Sequence, residues 1–332
     1  MKEALYCKKL KDKSVQCLLC PKNCFIAEGS YGFCNARKNT DGTLFSMVYG
    51  NASSVCIDPI EKKPLYHFLP GSSSLSIGTF GCNLSCRHCQ NWTIARAVPP
   101  DAFEEMHPKL LVEKAVETGC ESISYTYNEP TIFYEYVLDA AKLARKKKIR
   151  NVLVTNGFIN LPPLKELSKY IDAANVDLKA FNEKFYREIC FASLSPVLET
   201  LKFLSKTNIW FEITNLLIPT KNDDFAEIKK MCEWIKKEVG ADTPLHFSAF
   251  YPCYKMMDAP PTPQKTLDRA RKIALDTGID YVYAGNTPDV EGSTTYCPKC
   301  KRAVIQRAHF SVLGNWLKKG RCSCGFRIKG VW

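Results

Sequence analysis

The chain has 332 residues, 45% hydrophobic and 24% charged, which suits a soluble globular protein with one large core and appendages. No apolar run is long enough to cross a membrane, and the Met1–Lys9 segment lacks an apolar signal core, so a cytoplasmic protein without a membrane partner is expected. Seventeen cysteines in such a chain point to metal binding in a reducing compartment and argue against a disulfide framework. The net charge of +12 is uneven: residues 296–332 hold nine Lys/Arg and no acid, whereas residues 75–295 are close to neutral. A solvated face is the commoner meaning of such a tail, and an acidic partner, protein or nucleic acid, the rarer one.

In chain order, the first feature is Cys17, Cys20, Cys24 and Cys34, spaced C-x2-C-x3-C-x9-C and punctuated by Pro21, Gly29 and Gly32. Four thiols in eighteen residues predict a self-contained tetrathiolate knuckle, and both zinc and an iron–sulfur cluster suit it. Cys7 and Cys56 read as spare core thiols. Phe45–Tyr49 reads as a strand. Residues 58–71 carry three prolines and a closing glycine, which exclude a long helix and predict an extended arm across the main domain. His67 within it reads as a packed histidine.

A β-prone run, Leu75 to Phe80, then ends at Gly81 and leads into Cys82, Cys86 and Cys89 at C-x3-C-x2-C spacing. Thiols this close converge only if the chain turns tightly, which Gly81 and Asn83 favour. Three thiolates suit a [4Fe–4S] cluster with one iron left open; a structural zinc would want a fourth local ligand.

Beyond this loop short β-like runs alternate with helical ones. Strands are expected near 122–126, 151–155, 173–178, 209–218, 245–250 and 281–284. Helices are expected at 108–118, 131–147, 161–170, 182–190, 195–206, 223–238 and 263–277. Such alternation predicts an α/β protein with parallel strands and right-handed crossovers, either a full or partial (β/α) barrel or a doubly wound sheet. In the barrel, chemistry lies at the C-terminal strand ends. Polar groups recur there: Tyr127-Asn128-Glu129-Pro130-Thr131, Thr155-Asn156-Gly157, Asp177-Leu178-Lys179 and Pro219-Thr220-Lys221-Asn222-Asp223. Asp177 and Lys179 share one side of an extended chain, and Asp223 reads as a helix cap. His246 and Tyr251 are further candidates near the next strand. The chain closes with Cys297, Cys300, Cys322 and Cys324, CxxC and CxC separated by β-prone sequence, which reads as a zinc ribbon with too small a core to stand without metal. Trp316 and Trp332 are candidates to pack it against the barrel, and His309 is not counted as a ligand.

The cysteine loop resembles that of the radical SAM superfamily. The resemblance implies that the open iron chelates S-adenosylmethionine (SAM), which is cleaved reductively to a 5'-deoxyadenosyl radical, and it favours the partial barrel. It places His88 near the adenine, Asn128 and Glu129 in the motif that holds the amino group, with Asn128 keeping its turn, Asn156 in the same site, and Lys179 at the carboxylate, with Asp177 orienting it or helping to hold a cation. Over nearly its whole length, from the Cys17–Cys34 knuckle through Asp58-Pro59-Ile60-Glu61-Lys62-Lys63-Pro64-Leu65 to the terminal ribbon, the chain resembles the AmmeMemoRadiSam system radical SAM enzymes, close to pyruvate formate-lyase activating enzyme. That resemblance implies AMMECR-type and Memo-type partner proteins and a low-potential electron donor. The expected organisation is a cysteine-rich extension (1–74), a radical SAM core (75–290) and a ribbon-like unit (291–332). A glycyl-radical-enzyme activase is the second reading, and a nucleic-acid-binding or modifying protein using the basic ribbon the third.

Overall fold

Alternation of side chains decides the architecture. In the strand Ser73–Gly78, Leu75 and Ile77 point to one face and Ser74 and Ser76 to the other, and all four are buried. A strand buried on both faces belongs inside a layered α/β fold. The structure, a computed structural model, describes residues 1–100 and 105–332. Its main sheet has eight strands: β1 (Ser54–Pro59), β2 (Ser73–Gly78), β3 (Ser122–Tyr125), β4 (Arg150–Thr155), β5 (Ala173–Asp177), β6 (Trp210–Leu217), β7 (Leu245–Ala249) and β8 (Val282–Gly285). They lie side by side in sequence order; β2 to β8 are parallel, and β1 runs antiparallel to β2. An order without reversal excludes a doubly wound sheet, and right-handed crossovers then place the helices on one face. The sheet does not close, since β1 and β8 are its two edges.

The crossover helices are α1 (Pro108–Glu117), α2 (Tyr134–Lys146), α3 (Leu161–Leu167), α4 (Ser195–Leu204), α5 (Phe225–Glu238) and α6 (Gln264–Thr277). Their apolar stripes, including Leu111, Val137, Leu201, Ile228 and Leu267, join Ile77, Ile123, Leu153, Ile213 and Phe247 in one core. Most elements fall within a residue or two of those expected. The expected helix over 182–190 instead begins with a short turn, Glu183–Phe185, and continues as a π turn, Tyr186–Cys190, stopped by Phe191 in a left-handed conformation at φ 56. β1 was not foreseen, because the exposed Cys56 and Ile57 break the hydrophobic alternation of an edge strand.

The face opposite the helices is covered from within. The segment linking β1 to β2 packs Ile60, Leu65 and Phe68 against Val152 and Ala173, with Trp210 alongside. The carboxylate of Glu212 accepts hydrogen bonds from the Tyr66 and His67 amides at 3.0 and 2.7 Å, from the Trp210 indole at 3.0 Å and pairs with His246 Nε2 at 2.7 Å. Burial opposes the charge on Glu212, but these partners, His246 first, hold its pKa below the ordinary value. His67 is packed as expected: Nδ1 meets Lys329 O at 2.7 Å and Nε2 the Tyr283 hydroxyl at 2.6 Å. Burial pushes its pKa down to about 4.

The C-terminal unit is a three-stranded antiparallel sheet, β9 (Thr295–Tyr296), β10 (Ala303–Ala308) and β11 (Ser311–Asn315). It does not stand alone: Cys297, Val304, Cys322 and Ile328 share a core with Tyr66, Tyr281 and Tyr283. Trp332 packs there, against His67, whereas Trp316 is exposed and does not. Arg307 fixes the unit, with Nε 3.5 Å from Glu61 in a fully buried pair and Nη2 donating to Tyr66 O at 2.6 Å. The N-terminal region is likewise no self-contained knuckle. Val15, Cys17, Leu19 and Ile26 belong to the main core, and buried Arg37 pairs with Glu135 of α2. Among the described residues, no helix is long and apolar enough to cross a membrane. Removing one partner of a buried ion pair strands the other, so Arg307→Ala should lose about 3–5 kcal/mol of stability in a urea titration.

Candidate functional site

The C-terminal ends of the parallel strands form one rim, and the three-cysteine loop lies on it directly after β2. Two glycines allow its entry. A Cβ on Gly78 would lie 2.8 Å from Thr126 O, and one on Gly81, at φ +93, would lie 2.2 Å from Cys34 O. The loop is then held on all sides by backbone bonds. Cys82 N donates to Cys34 O at 3.1 Å, Ser85 N to Cys190 O at 3.1 Å, Arg87 N to Ile189 O at 2.9 Å and Lys255 N to Arg87 O at 3.0 Å. Asn128 spans it, accepting from Thr79 N at 3.2 Å and donating to Gly81 O at 2.8 Å. Both ends of its amide are thereby used on the loop, so Asn128 shapes the site from behind.

Glu129 is buried at the mouth of β3. Its Oε1 accepts from Thr131 N, Thr131 Oγ1 and Thr155 Oγ1 at 3.0, 2.6 and 2.8 Å, and Oε2 accepts from Asn156 N at 2.8 Å. Burial raises its pKa despite these bonds. Glu129 is thus a brace between the ends of β3 and β4, and Oε2, with one bond, is the atom left to meet a ligand amine. Asn156 donates to Asn83 Oδ1 at 2.9 Å, and Asn83 donates to Phe158 O at 2.7 Å, so the loop is pinned to β4.

At the end of β5, Lys179 Nζ lies 3.0 Å from Asp177 Oδ2. Burial works against its charge, but Asp177 and then Cys86 and Cys190 raise the pKa well above the ordinary value. Lys179 therefore remains a cation beside the cysteine loop. His88 is buried near Phe185, ring centroids 6.0 Å apart, and its Nδ1 has no hydrogen-bond partner. Burial, with Lys179 adding, pushes its pKa down to about 3, so the ring is neutral at pH 7.

The three thiols are free, and Cys82 and Cys89 sit in surroundings that penalise charge: burial raises both, Cys89 to about 11. A metal is what would make thiolates of them. Three thiols, a cation, a braced carboxylate and an unpartnered buried imidazole nitrogen at one rim fit a three-cysteine cluster with a zwitterionic ligand on its open iron.

Several other polar residues are committed within the protein or stand apart from the cysteine loop. His246 is committed to Glu212 at the floor, whereas Tyr251 is exposed at the rim, its hydroxyl 3.4 Å from Asn286 O. Asp223 accepts from Thr220 N, and it is Asp224 that caps α5. Asp58 is structural: it binds Lys62 at 2.8 Å, Lys63 at 2.7 Å and the Tyr127 hydroxyl at 2.7 Å, tying β1 to the end of β3. Sequence reasoning missed Cys190, whose sulfur lies within 4.8 Å of ligand atoms of Cys86 and His88. A lone cysteine in a helical segment carries no signal of that neighbour. The C-terminal four thiols do converge, with Sγ–Sγ distances of 3.7 Å for Cys297–Cys324 and 3.6 Å for Cys300–Cys322.

Residues 76–235 match the Radical SAM superfamily profile. A Methanocaldococcus jannaschii protein, "Uncharacterized protein MJ0808", is 46% identical over 333 residues, 99% of each chain. A putative glycyl-radical enzyme activating enzyme of that organism (MJ1632) is 23% identical over 61% of this chain and 78% of its own. Pyruvate formate-lyase-activating enzyme of Clostridium pasteurianum is 23% identical over 47% of this chain and 66% of its own. Among solved structures, a radical SAM methyltransferase from Sphaerobacter thermophilus superposes with a TM-score of 0.52 at 14% identity, over 66% of this chain and 68% of that one. Streptococcus suis SuiB bound to S-adenosylmethionine gives 0.52 at 14%, over 68% and 53%. Residues 76–235 form a radical SAM domain, and the chain is an enzyme of radical SAM type.

The contact of Gly81 with Cys34 O yields a test. Gly81→Ala should cost about 1–3 kcal/mol through its left-handed backbone, and the displaced loop should lower the iron bound per chain after anaerobic reconstitution.

Proposed function

We propose that Cys82, Cys86 and Cys89 hold a [4Fe–4S] cluster and that the enzyme cleaves SAM reductively to abstract hydrogen from a substrate bound over the strand-end rim. The observation that carries this reading is the convergence on one rim of three free thiols, the Lys179–Asp177 pair and Glu129 with one oxygen still available. When bound, the cluster supplies the electron that breaks the sulfonium bond of SAM. The chain's residues do the rest. Lys179 neutralises the SAM carboxylate, with Asp177 holding the ammonium in place. Glu129 Oε2 takes the amino group, and Asn156, linked to Asn83, keeps β4 fixed against the loop. Neutral His88 offers Nδ1 and its ring face to the adenine. The segment around Cys253 and Tyr254 closes the outer side, since Cys253 Sγ donates to Cys89 O at 3.4 Å and Trp92 stacks on Tyr254 at 5.1 Å.

The same reading assigns zinc to Cys297, Cys300, Cys322 and Cys324. Four thiolates around zinc at a bond length of about 2.3 Å stand about 3.8 Å apart, close to the separations in this unit. There the metal would stiffen the unit that covers the floor of the sheet, away from the rim. The resemblance to AmmeMemoRadiSam enzymes supports AMMECR-type and Memo-type proteins as partners, and a cytoplasmic low-potential donor as the reductant. An activase role is the second reading, favoured by the activating enzymes among the relatives. It predicts a glycyl radical on a partner protein.

The reconstituted chain, given dithionite and SAM under anaerobic conditions, should release 5'-deoxyadenosine. Cys82→Ala with Cys86→Ala should abolish that release, and cleavage retained in the double variant would contradict the assignment. Lys179→Ala should weaken SAM binding by about tenfold or more, roughly 1.4 kcal/mol, in a titration of the reduced cluster.

A further inference from the structure

The two groups of four cysteines are built to different sizes. The C-terminal sulfurs all lie within 4.8 Å of one another, as ligands of a single ion must. Among the described residues, no three of Cys17, Cys20, Cys24 and Cys34 come that close. Yet these four line one common cavity, walled by Leu19, Ile26, Phe33 and Asn83. Thiols that face one space while standing apart suit a polynuclear group, in which irons and sulfides separate the thiolates. Basic groups reach the same space: Arg37, paired with Glu135 through Nη2, places Nη1 3.6 Å from Cys17 Sγ, and Lys22 also lines the cavity. The cavity is also joined to the catalytic loop. Cys34 O accepts from Cys82 N at 3.1 Å, and Asn83, which follows Cys82, forms part of the wall.

We propose that Cys17, Cys20, Cys24 and Cys34 bind a second [4Fe–4S] cluster, fully ligated by cysteine, which passes electrons to the catalytic cluster along the Cys34–Cys82 contact. One electron enters from a low-potential one-electron donor of the ferredoxin class, takes the second cluster from its 2+ to its 1+ state, and leaves for the catalytic cluster; no atom is transferred. With no open iron, this cluster cannot bind SAM. Its presence is independent of the function proposed above, whereas the relay role rests on it.

The full-length chain is reconstituted anaerobically with iron and sulfide, and metals are counted. The expected values are about eight irons and one zinc for the unmodified chain. Cys82→Ala/Cys86→Ala/Cys89→Ala should keep about four irons, with a reduced-state EPR signal that SAM does not alter. Cys20→Ser/Cys24→Ser should also keep about four irons, with a signal that SAM does alter. Circular dichroism checks that each variant is folded, and Cys24→Ser alone serves if the double variant is not. A triple variant containing zinc and no iron would overturn the second cluster and leave the catalytic assignment standing. Iron lost only from the Cys20/Cys24 variant would overturn the catalytic assignment instead. For the relay, ferredoxin should reduce the catalytic cluster in the unmodified chain and fail to do so in the Cys20/Cys24 variant, while dithionite reduces it in both. Equal reduction by ferredoxin in both would overturn the relay.

Discussion

A carboxylate without solvent organises the floor of this protein. Glu212 is completely buried in β6, where an unpaired charge would be prohibitive, so four partners must reach it. Two are backbone amides of the segment between β1 and β2, one is the Trp210 indole and one is the His246 ring. Meeting that demand draws residues 60–72 across the face opposite the helices. The same segment presents Glu61 and Tyr66 O to Arg307, which brings the C-terminal unit against it. The polar character of the inner strand positions, which would be a fault in an ordinary core, is therefore the means by which three parts of the chain become one body.

That closure assigns work to the two ends of the sheet. At the floor, histidines, tyrosines and ion pairs are spent on one another: His67 on Tyr283 and Lys329, His246 on Glu212. At the rim, groups remain with capacity to spare, namely the three thiols, Glu129 Oε2, the Lys179 ammonium and His88 Nδ1. Two other polar residues of the same region, Asn128 and Asp58, hold the loop and the strand ends in register. The distinction follows from counting hydrogen bonds, since a buried group with all its partners inside the protein has none left for a ligand.

How much was legible in the sequence depended on how local the determining contacts are. The cysteine loop was legible because its three thiols lie within eight residues and the turn between them is set by Gly81 and Asn83. The strand–helix series was legible because apolar period is a local property, and the polar residues at strand ends followed from it. Strand β1 was hidden, because an edge strand with Cys56 and Ile57 exposed has no apolar alternation to read. Cys190 beside Cys86, Arg37 with Glu135, and Arg307 with Glu61 were hidden for another reason. Each pairs residues about a hundred or more apart, and no single segment records its partner. The separate N-terminal knuckle was a misreading of the same kind, since spacing shows which cysteines cluster and not what they pack against.

Under the proposed function, one iron at the Cys82–Cys86–Cys89 loop is open and takes SAM directly. EPR spectroscopy of the dithionite-reduced protein, recorded with and without SAM, tests it most directly. SAM should change the g-values of the signal from this loop's cluster, and the change should be lost when Cys82, Cys86 and Cys89 are replaced. A fully loaded, reduced protein whose spectrum is the same with and without SAM would contradict it.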